Sequence, residues 1–316
     1  MTIREIYDLA VQKGKEKDPR GLEAVDKALE RAKKEYEDLK AEDREYFDTE
    51  SLHNPYADTR ILYGDDDRLV KRVLVGVDIE VGEVLLADRL REKEGLDLII
   101  AHHPEGGSLA KLYQVMHMQG DILANYGVPI NVAEGHLQGR ISEVERGLLP
   151  VNHQRAIDAA RLLDIPLMCV HTPADNCVTS YLQGIFDERQ PYLVKDVLAI
   201  LKEIPEYQAA GKIGAGLKVV AGGEKRRAGK VFVDMTGGTG GAKELFASMA
   251  NAGIGTVVCM HISEKNLEKA KEAQLNVVIA GHMASDSVGM NFILDEIAKR
   301  GVEILTCSGL IRVSRL

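Results

Sequence analysis

The stretch Leu98-Ile99-Ile100-Ala101-His102-His103-Pro104-Glu105-Gly106-Gly107 carries an apolar run straight into two adjacent histidines and a turn. The run from Leu96 to Ala101 is short and bounded by turn residues, the pattern of a buried strand. Pro104 has no N–H to give to a ladder, so the strand ends before it. Histidines at the carboxyl end of a buried strand stand where open α/β sheets hold ligands. Neutral imidazole is the commonest side-chain metal ligand. Side chains alternate along a strand, so His102 and His103 converge only if the chain turns after them, and Pro104 to Gly107 supply the turn. The plainer reading is two polar residues at a loop mouth.

Working outward, Val70 to Asp78 reads as the first core strand and Val81 to Lys93 as a helix, so strand, helix and strand make a βαβ unit and a parallel sheet. Leu109 to Tyr126 reads as a helix, and Glu143 to Leu163 as one or two more. Within this region His117, His136 and His153 are read as ordinary surface or core histidines. Ile165 to Val170 is another apolar strand, again ending in a histidine, His171. A helix is expected over Gln190 to Ile204, and residues 205–228, rich in Gly and Lys, read as surface hairpin and loop. Strand, glycine turn and helix follow from Lys230 to Ala252. The strands Thr256 to His261, Asn276 to Ala280 and Glu303 to Cys307 alternate with helices, the first of them capped by Ser263 and the second spanning Val288 to Arg300. Repeated strand–helix units mark a mixed α/β fold.

Ahead of this body, residues 1–50 are charged and helical in pattern, with Leu22, Val25, Leu29, Ala32, Tyr36 and Leu39 on one stripe that packs on the body or on a partner subunit. Ser51 to Arg60 reads as a connector, and Gly64 to Asp67 as an exposed acidic turn. We divide the chain into an N-terminal helical extension (1–67), a first α/β half (68–204) and a second (205–316).

The composition is that of a globular protein, with 45% hydrophobic residues in 316. Forty Lys and Arg against 49 Asp and Glu give a net charge of −9, against a general nucleic-acid binder, which needs a basic footprint. The four cysteines, Cys169, Cys177, Cys259 and Cys307, form no Cys-x-x-Cys pair and read as reduced. The start of the chain lacks a signal-peptide pattern, and no apolar run approaches transmembrane length, so a cytoplasmic protein without membrane attachment is expected.

Three strand ends thus deliver His102 with His103, His171 with Asp175, and His282 with Asp286. In the last two the carboxylate follows the histidine by four residues, which puts both on one face if a helix begins there. Imidazoles with carboxylates able to span two cations are what a two-metal site needs. The plainer alternative is that the histidines cap strands through hydrogen bonds. A second feature is the turn Thr236-Gly237-Gly238-Thr239-Gly240-Gly241, whose glycine amides can approach an anion ahead of a helix N-terminus. It is neither a Walker motif nor a complete dinucleotide fingerprint.

Taken in order, the His-His-Pro strand end, His-Thr-x-x-Asp, Gly-Gly-x-Gly-Gly and Gly-His-x-x-Ser-Asp resemble the NIF-three-like family, also called the GTP cyclohydrolase I type 2 family. The resemblance covers roughly residues 68–107 and 150–316. It implies a fold of two similar α/β halves with mixed sheets, here with an N-terminal helical extension. It implies two divalent metal ions (iron, zinc, manganese or cobalt) held by His102, His103, Asp175, His282 and Asp286, with His171 close by as a proton-transfer residue. It also implies a toroidal homo-hexamer with its sites facing an inner cavity. Two departures stand out. Asp286 is one methylene shorter than the Glu usual at that place, and the gap between His103 and His171 is longer than the family's.

The function expected is a dinuclear metal-dependent hydrolase. Asp175 or Asp286 would bridge the metals, His171 would serve as general acid or base, and Gly237, Gly238, Gly240 and Gly241 would hold a phosphate. By resemblance the substrate is a small molecule of nucleotide type, as in GTP ring opening; a phosphoester or cyclic amide suits the same residues. The alternative is a non-catalytic metal-binding regulator or scaffold, with the N-terminal stripe docking a partner.

Overall fold

The computed structural model describes residues 1–316. The chain opens with α1 (Ile3–Glu16) and α2 (Leu22–Asp38). Thr2 caps α1 in a closed box: its hydroxyl accepts from the Glu5 amide, and the Glu5 carboxylate accepts from the Thr2 amide. The apolar stripe of α2 lies over the short 3-10 turns at 44–52, with Tyr36 and Phe47 rings 5.1 Å apart.

Next come β1 (Arg60–Tyr63), β2 (Arg72–Gly76), α3 (Val81–Glu94) and β3 (Leu98–Ala101). Five helices follow before the next strand: α4 (Gly106–Ala110), α5 (Leu112–Val115), α6 (Met118–Asn125), α7 (Ile130–Leu148) and α8 (Arg155–Leu162). Then β4 (Leu167–Cys169) leads into α9 (Thr172–Arg189), α10 (Val194–Lys202) and α11 (Pro205–Lys212). The remainder alternates: β5 (Lys218–Ala221), β6 (Lys230–Asp234), α12 (Leu245–Asn251), β7 (Ile254–Cys259), α13 (Glu264–Glu272), β8 (Asn276–Ile279), α14 (His282–Ala298) and β9 (Glu303–Cys307). No helix is long and apolar enough to cross a membrane.

Two mixed sheets result, one of order β1-β4-β3-β2-β9 and one of order β5-β8-β7-β6. In each, an antiparallel edge strand joins an otherwise parallel set: β1 pairs antiparallel with β4, and β5 with β8. The strand–helix units β4–α9 and β8–α14 occupy corresponding places in the two sheets, each second from the antiparallel edge. The chain is therefore an α/β fold of two similar sheets, as expected.

Several local expectations need correction. Ser51 to Arg60, expected as a connector, ends in strand, because Arg60 starts β1; four residues with a register shift carry too little pattern to read as a strand. The helix expected over Gln190 to Ile204 is shorter, α10 from Val194 to Lys202, because Gln190, with a left-handed φ of 44°, terminates α9. The region 205–228 is not only loop. Pro205 opens α11, and β5 forms the sheet edge, where half-exposed Val219 and Val220 give no alternating signal. The divisions at 67 and 204 also do not follow the sheets, because β1 and β9 both belong to the first sheet.

Helices α9 and α14 cross at the seam between the sheets. Gly289 lets them close: a Cβ there would stand 2.8 Å from the carbonyl carbon of Ala174, nearer than side chains tolerate. Ala174 precedes Asp175, and Gly289 follows Asp286 by one turn, so this contact sets the spacing of the two carboxylates.

Candidate metal centre

Each donor comes from a strand end or the first turn of the helix beyond it. His102 and His103 follow β3. His171 follows β4, and Asp175 lies one turn into α9. His282 and Asp286 share the first turns of α14, after Gly281 at φ 105°. Apolar strands bury the ends of these elements, so the polar residues beyond are carried into a cleft rather than to open solvent.

The side chains converge. His102 Nε2 lies 3.5 Å from Asp175 Oδ1 and 3.5 Å from Asp286 Oδ1. The other oxygen of Asp286 lies 3.7 Å from His103 Nε2 and 3.6 Å from His282 Nε2, and those two nitrogens are 3.4 Å apart. His171 Nε2 is 3.7 Å from Asp175 Oδ2, and its ring centre is 5.0 Å from that of His102. Three overlapping donor groups result: His102, Asp175 and Asp286; His103, His282 and Asp286; and His102, His103 and His171. Asp286 belongs to two of them, one through each oxygen.

These residues fit metal ions. His102 Nε2, Asp175 Oδ1 and both Asp286 oxygens are buried without a hydrogen-bond partner. Buried polar atoms are almost always paired, because leaving them bare costs several kcal/mol. Ligands about 2.1 Å from a tetrahedral ion stand about 3.4 Å apart, close to the separations found here. The buried His and Asp cluster can therefore bind metal ions.

Each imidazole is held from behind. His102 Nδ1–H donates to the Val170 carbonyl at 3.0 Å, His103 Nδ1–H to Asp78 Oδ1 at 2.6 Å, and His171 Nδ1–H to Asp58 Oδ2 at 2.8 Å. The Thr172 hydroxyl donates to the same Asp58 oxygen at 2.6 Å, and the His171 amide donates to Thr59 Oγ1 at 3.0 Å. Such bonds fix the tautomer and leave Nε2 as the donor facing the cleft. Asp58 and Asp78 were not singled out from sequence, since a lone Asp in a loop or after a strand carries no pattern. His261 was also passed over, although it follows β7 and its ring is 5.0 Å from that of His282. The rule that singled out the other strand-end histidines applies to it too.

Electrostatics follow from this packing. Burial would raise Asp286, but His102, His282 and His103 outweigh it and hold its carboxyl below the ordinary value. Burial would lower His102, and Asp286 and Asp175 reverse the shift. Burial, with His102 and His171 beside it, holds His103 down at about 4. Burial pushes Asp175 well up, with Asp286 and Asp58 adding to the rise and His102 opposing it. Asp175, buried and beside the charge of Asp286 and Asp58, is a carboxyl that a cation would stabilise in its ionised form.

The glycine turn lies beside this cleft, but α12 starts only at Leu245, so the turn does not lead directly into a helix N-terminus as expected. Gln119 of α6 pins it, donating to the carbonyls of Gly237 at 2.6 Å and Thr239 at 2.7 Å. Gly237 and Gly238 have φ of 94° and 84°, and Cβ atoms there would meet Gln119 Cγ at 2.7 Å and Val115 Cγ2 at 2.9 Å. These two glycines thus let the inserted helices dock. Gly238 and Gly240 also line the metal cleft, Gly240 and Gly241 line a larger cavity beside it, and Gly237 lines neither. His136 lines the larger cavity, while His117 and His153 line neither.

Among solved structures, a NIF3 superfamily protein from Sphaerobacter thermophilus superposes on 80% of this chain and 92% of its own, with a TM-score of 0.71 and 29% identity. This likeness in fold and sequence supports a NIF3-like family for the chain. Reduced HcgD from Methanocaldococcus jannaschii shares the fold with this NIF3-like chain at a TM-score of 0.51, with 16% identity over 78% of this chain and 87% of its own. No family profile matches the sequence, and no curated protein does.

Proposed function

We propose that this NIF3-like protein is a dinuclear metal-dependent hydrolase. The observation that carries the reading is Asp286, whose two buried oxygens lack hydrogen bonds and face two different imidazole groups. His102, Asp175 and Asp286 would hold one divalent ion, and His103, His282 and Asp286 the other. Iron, zinc, manganese and cobalt all suit such mixed donors. Bound there, the ions would supply Lewis acidity and lower the pKa of water toward neutrality.

The chain's own residues supply the rest. His171, with Nδ1–H held by buried Asp58, presents Nε2 to the cleft and takes or gives a proton there. His103 and His282 remain partly exposed, with side chains 25% and 38% accessible, so that side of the cluster is open to a small molecule. An open face supports catalysis over a purely structural metal role. Gly240 and Thr239 line the cleft and would contact an anionic group. By family resemblance the substrate is nucleotide-like, with GTP ring opening first to be tried and cyclic amides or phosphoesters next. The same resemblance leads us to propose a homo-hexamer, which light scattering on the purified protein would check.

Elemental mass spectrometry of protein purified without added metal tests the reading. About two divalent ions per chain are expected, falling in Asp286→Ala, with hydrolysis falling alongside. Protein that neither carries nor takes up metal would refute it. His171→Gln should keep its metal and lose turnover; unchanged turnover would remove the proton-transfer role.

A further inference from the structure

Between the inserted helices and the second sheet lies a cavity of about 710 Å³. That is within the range of small-molecule sites and far beyond the voids that close-packed cores leave. One wall is α6 and α7, with Ile122, Leu123, Gly139 and Arg140; the other is the sheet face and α12, with Phe232, Phe246 and Met249. The cavity meets the metal cleft through shared lining residues: Asp234, Met235, Thr236, Thr239, Gly240 and His261 border both. A molecule filling it would present one end to the cluster.

The lining is two-sided. Phe232, Phe246 and Met249 are buried and offer an aromatic and thioether bed. Above it stand three cations with donors to spare. Arg140 gives Nε to the Gly240 carbonyl and Nη1 to Glu143, leaving Nη2 without a protein partner. Lys265 has no carboxylate within ion-pair distance, and Lys243 reaches only Glu244, at 3.9 Å. Asp234, at the inner end, makes no ion pair, and burial pushes its carboxyl up to about 6.

We infer that this chamber binds an organic anion with a flat apolar body, its ring system on Phe232 and Phe246 and its anionic group at Arg140 and Lys265. The assignment names the substrate class of the proposed hydrolase and rests on that reading for its chemistry, but binding itself requires neither metal nor turnover. The helices between β3 and β4 thereby become a specificity wall.

The test is calorimetric titration of the metal-loaded protein with naphthalene-2-sulfonate, and with 2-naphthylmethanol as the uncharged counterpart. One sulfonate per chain is expected, bound at least tenfold tighter than the alcohol. Arg140→Gln with Lys265→Gln should erase that preference and leave alcohol binding intact. Gly139 lines the chamber and has nothing within 4 Å of a Cβ position. Gly139→Phe should therefore fill the space and abolish binding of both probes. If that variant loses its cooperative melt, Gly135→Phe, open in the same way on the same helix, carries the test. No sulfonate binding by the wild type, or binding unaffected by the filling variant, would overturn the assignment, and equal affinity for the two probes would overturn the anion. Repeating the titration after chelation separates the two readings, because a failed metal site leaves these affinities unchanged.

Discussion

Gly289→Ala is the sharpest perturbation available. The added methyl would stand 2.8 Å from the carbonyl carbon of Ala174, against the 3.4 Å at which ordinary contact begins. Its neighbour is backbone at the start of α9, so no side chain can rotate away. The helices must separate by about 0.6 Å to clear the carbon and further to clear the oxygen. Overpacking of this kind costs about 1–3 kcal/mol. At an unfolding entropy of roughly 2.1 cal/mol/K per residue, that lowers the melting temperature of a 316-residue chain by about 1.5–4.5 °C. The functional effect should be larger than the thermal one. Metal–ligand distances hold to about 0.2 Å, so moving Asp175 away from Asp286 by several times that should cost at least about tenfold in metal affinity. The control is Gly184→Ala on α9, where a Cβ meets nothing, and where relief of the glycine penalty is worth up to about 1 kcal/mol. Metal titration followed by competition with a chelator reads the affinity, and calorimetry reads the melt. If Gly289→Ala binds metal like the wild type and melts no lower than Gly184→Ala, the crossing does not set the carboxylate spacing.

Other outcomes follow from the same geometry. Saturating metal at about 100 times its Kd should add about 2.7 kcal/mol, or roughly 4 °C, to the melt of the wild type; in Asp286→Asn that gain should vanish, and its persistence would exclude Asp286 as a ligand. Asp58→Asn removes the carboxylate that orients His171, and should reduce turnover about 10–100-fold while metal content holds; full turnover would show that His171 needs no orientation. Asp234 is raised in the fold to about 6 from 3.8, so its share of stability is complete below about pH 4 and lost as the pH climbs through 6. Two units are worth at most about 3 kcal/mol, and partial water access lessens that. In chelated protein, Asp234→Asn should therefore gain on the wild type between pH 4.5 and 7; parallel melting profiles would refute this.

The sequence carried the donors because burial writes itself into residue type. An apolar run that stops at histidine, as at Ala101 and Val170, or one glycine short of it, as at Ala280, marks a sheet edge whatever the fold. Spacing then placed Asp175 and Asp286 one turn beyond their histidines. What stayed hidden depends on distance in the chain. Asp58 reaches His171 across 113 residues, and Asp78 reaches His103 across 25, and neither pairing has a local period. The closeness of α9 and α14 rests on Gly289, which in sequence is one of 30 glycines. Strands β1 and β5 went unseen because antiparallel edge strands of four residues show no run to count. The chamber was invisible for a further reason: its two walls come from segments far apart in the chain, joined by contacts such as the Gln119 and Arg140 bonds to the glycine turn.

Strand β9 has one more consequence. It pairs with β2 over a separation of 231 residues, Arg72 against Glu303, and the whole second sheet is spelled out between them. During synthesis the first sheet must wait with an open edge until residue 307 has emerged, while contacts of such long range slow folding. His102, His103, His171 and Asp175 thus precede His282 and Asp286 in the chain, and the donor cluster is complete only once α14 has formed.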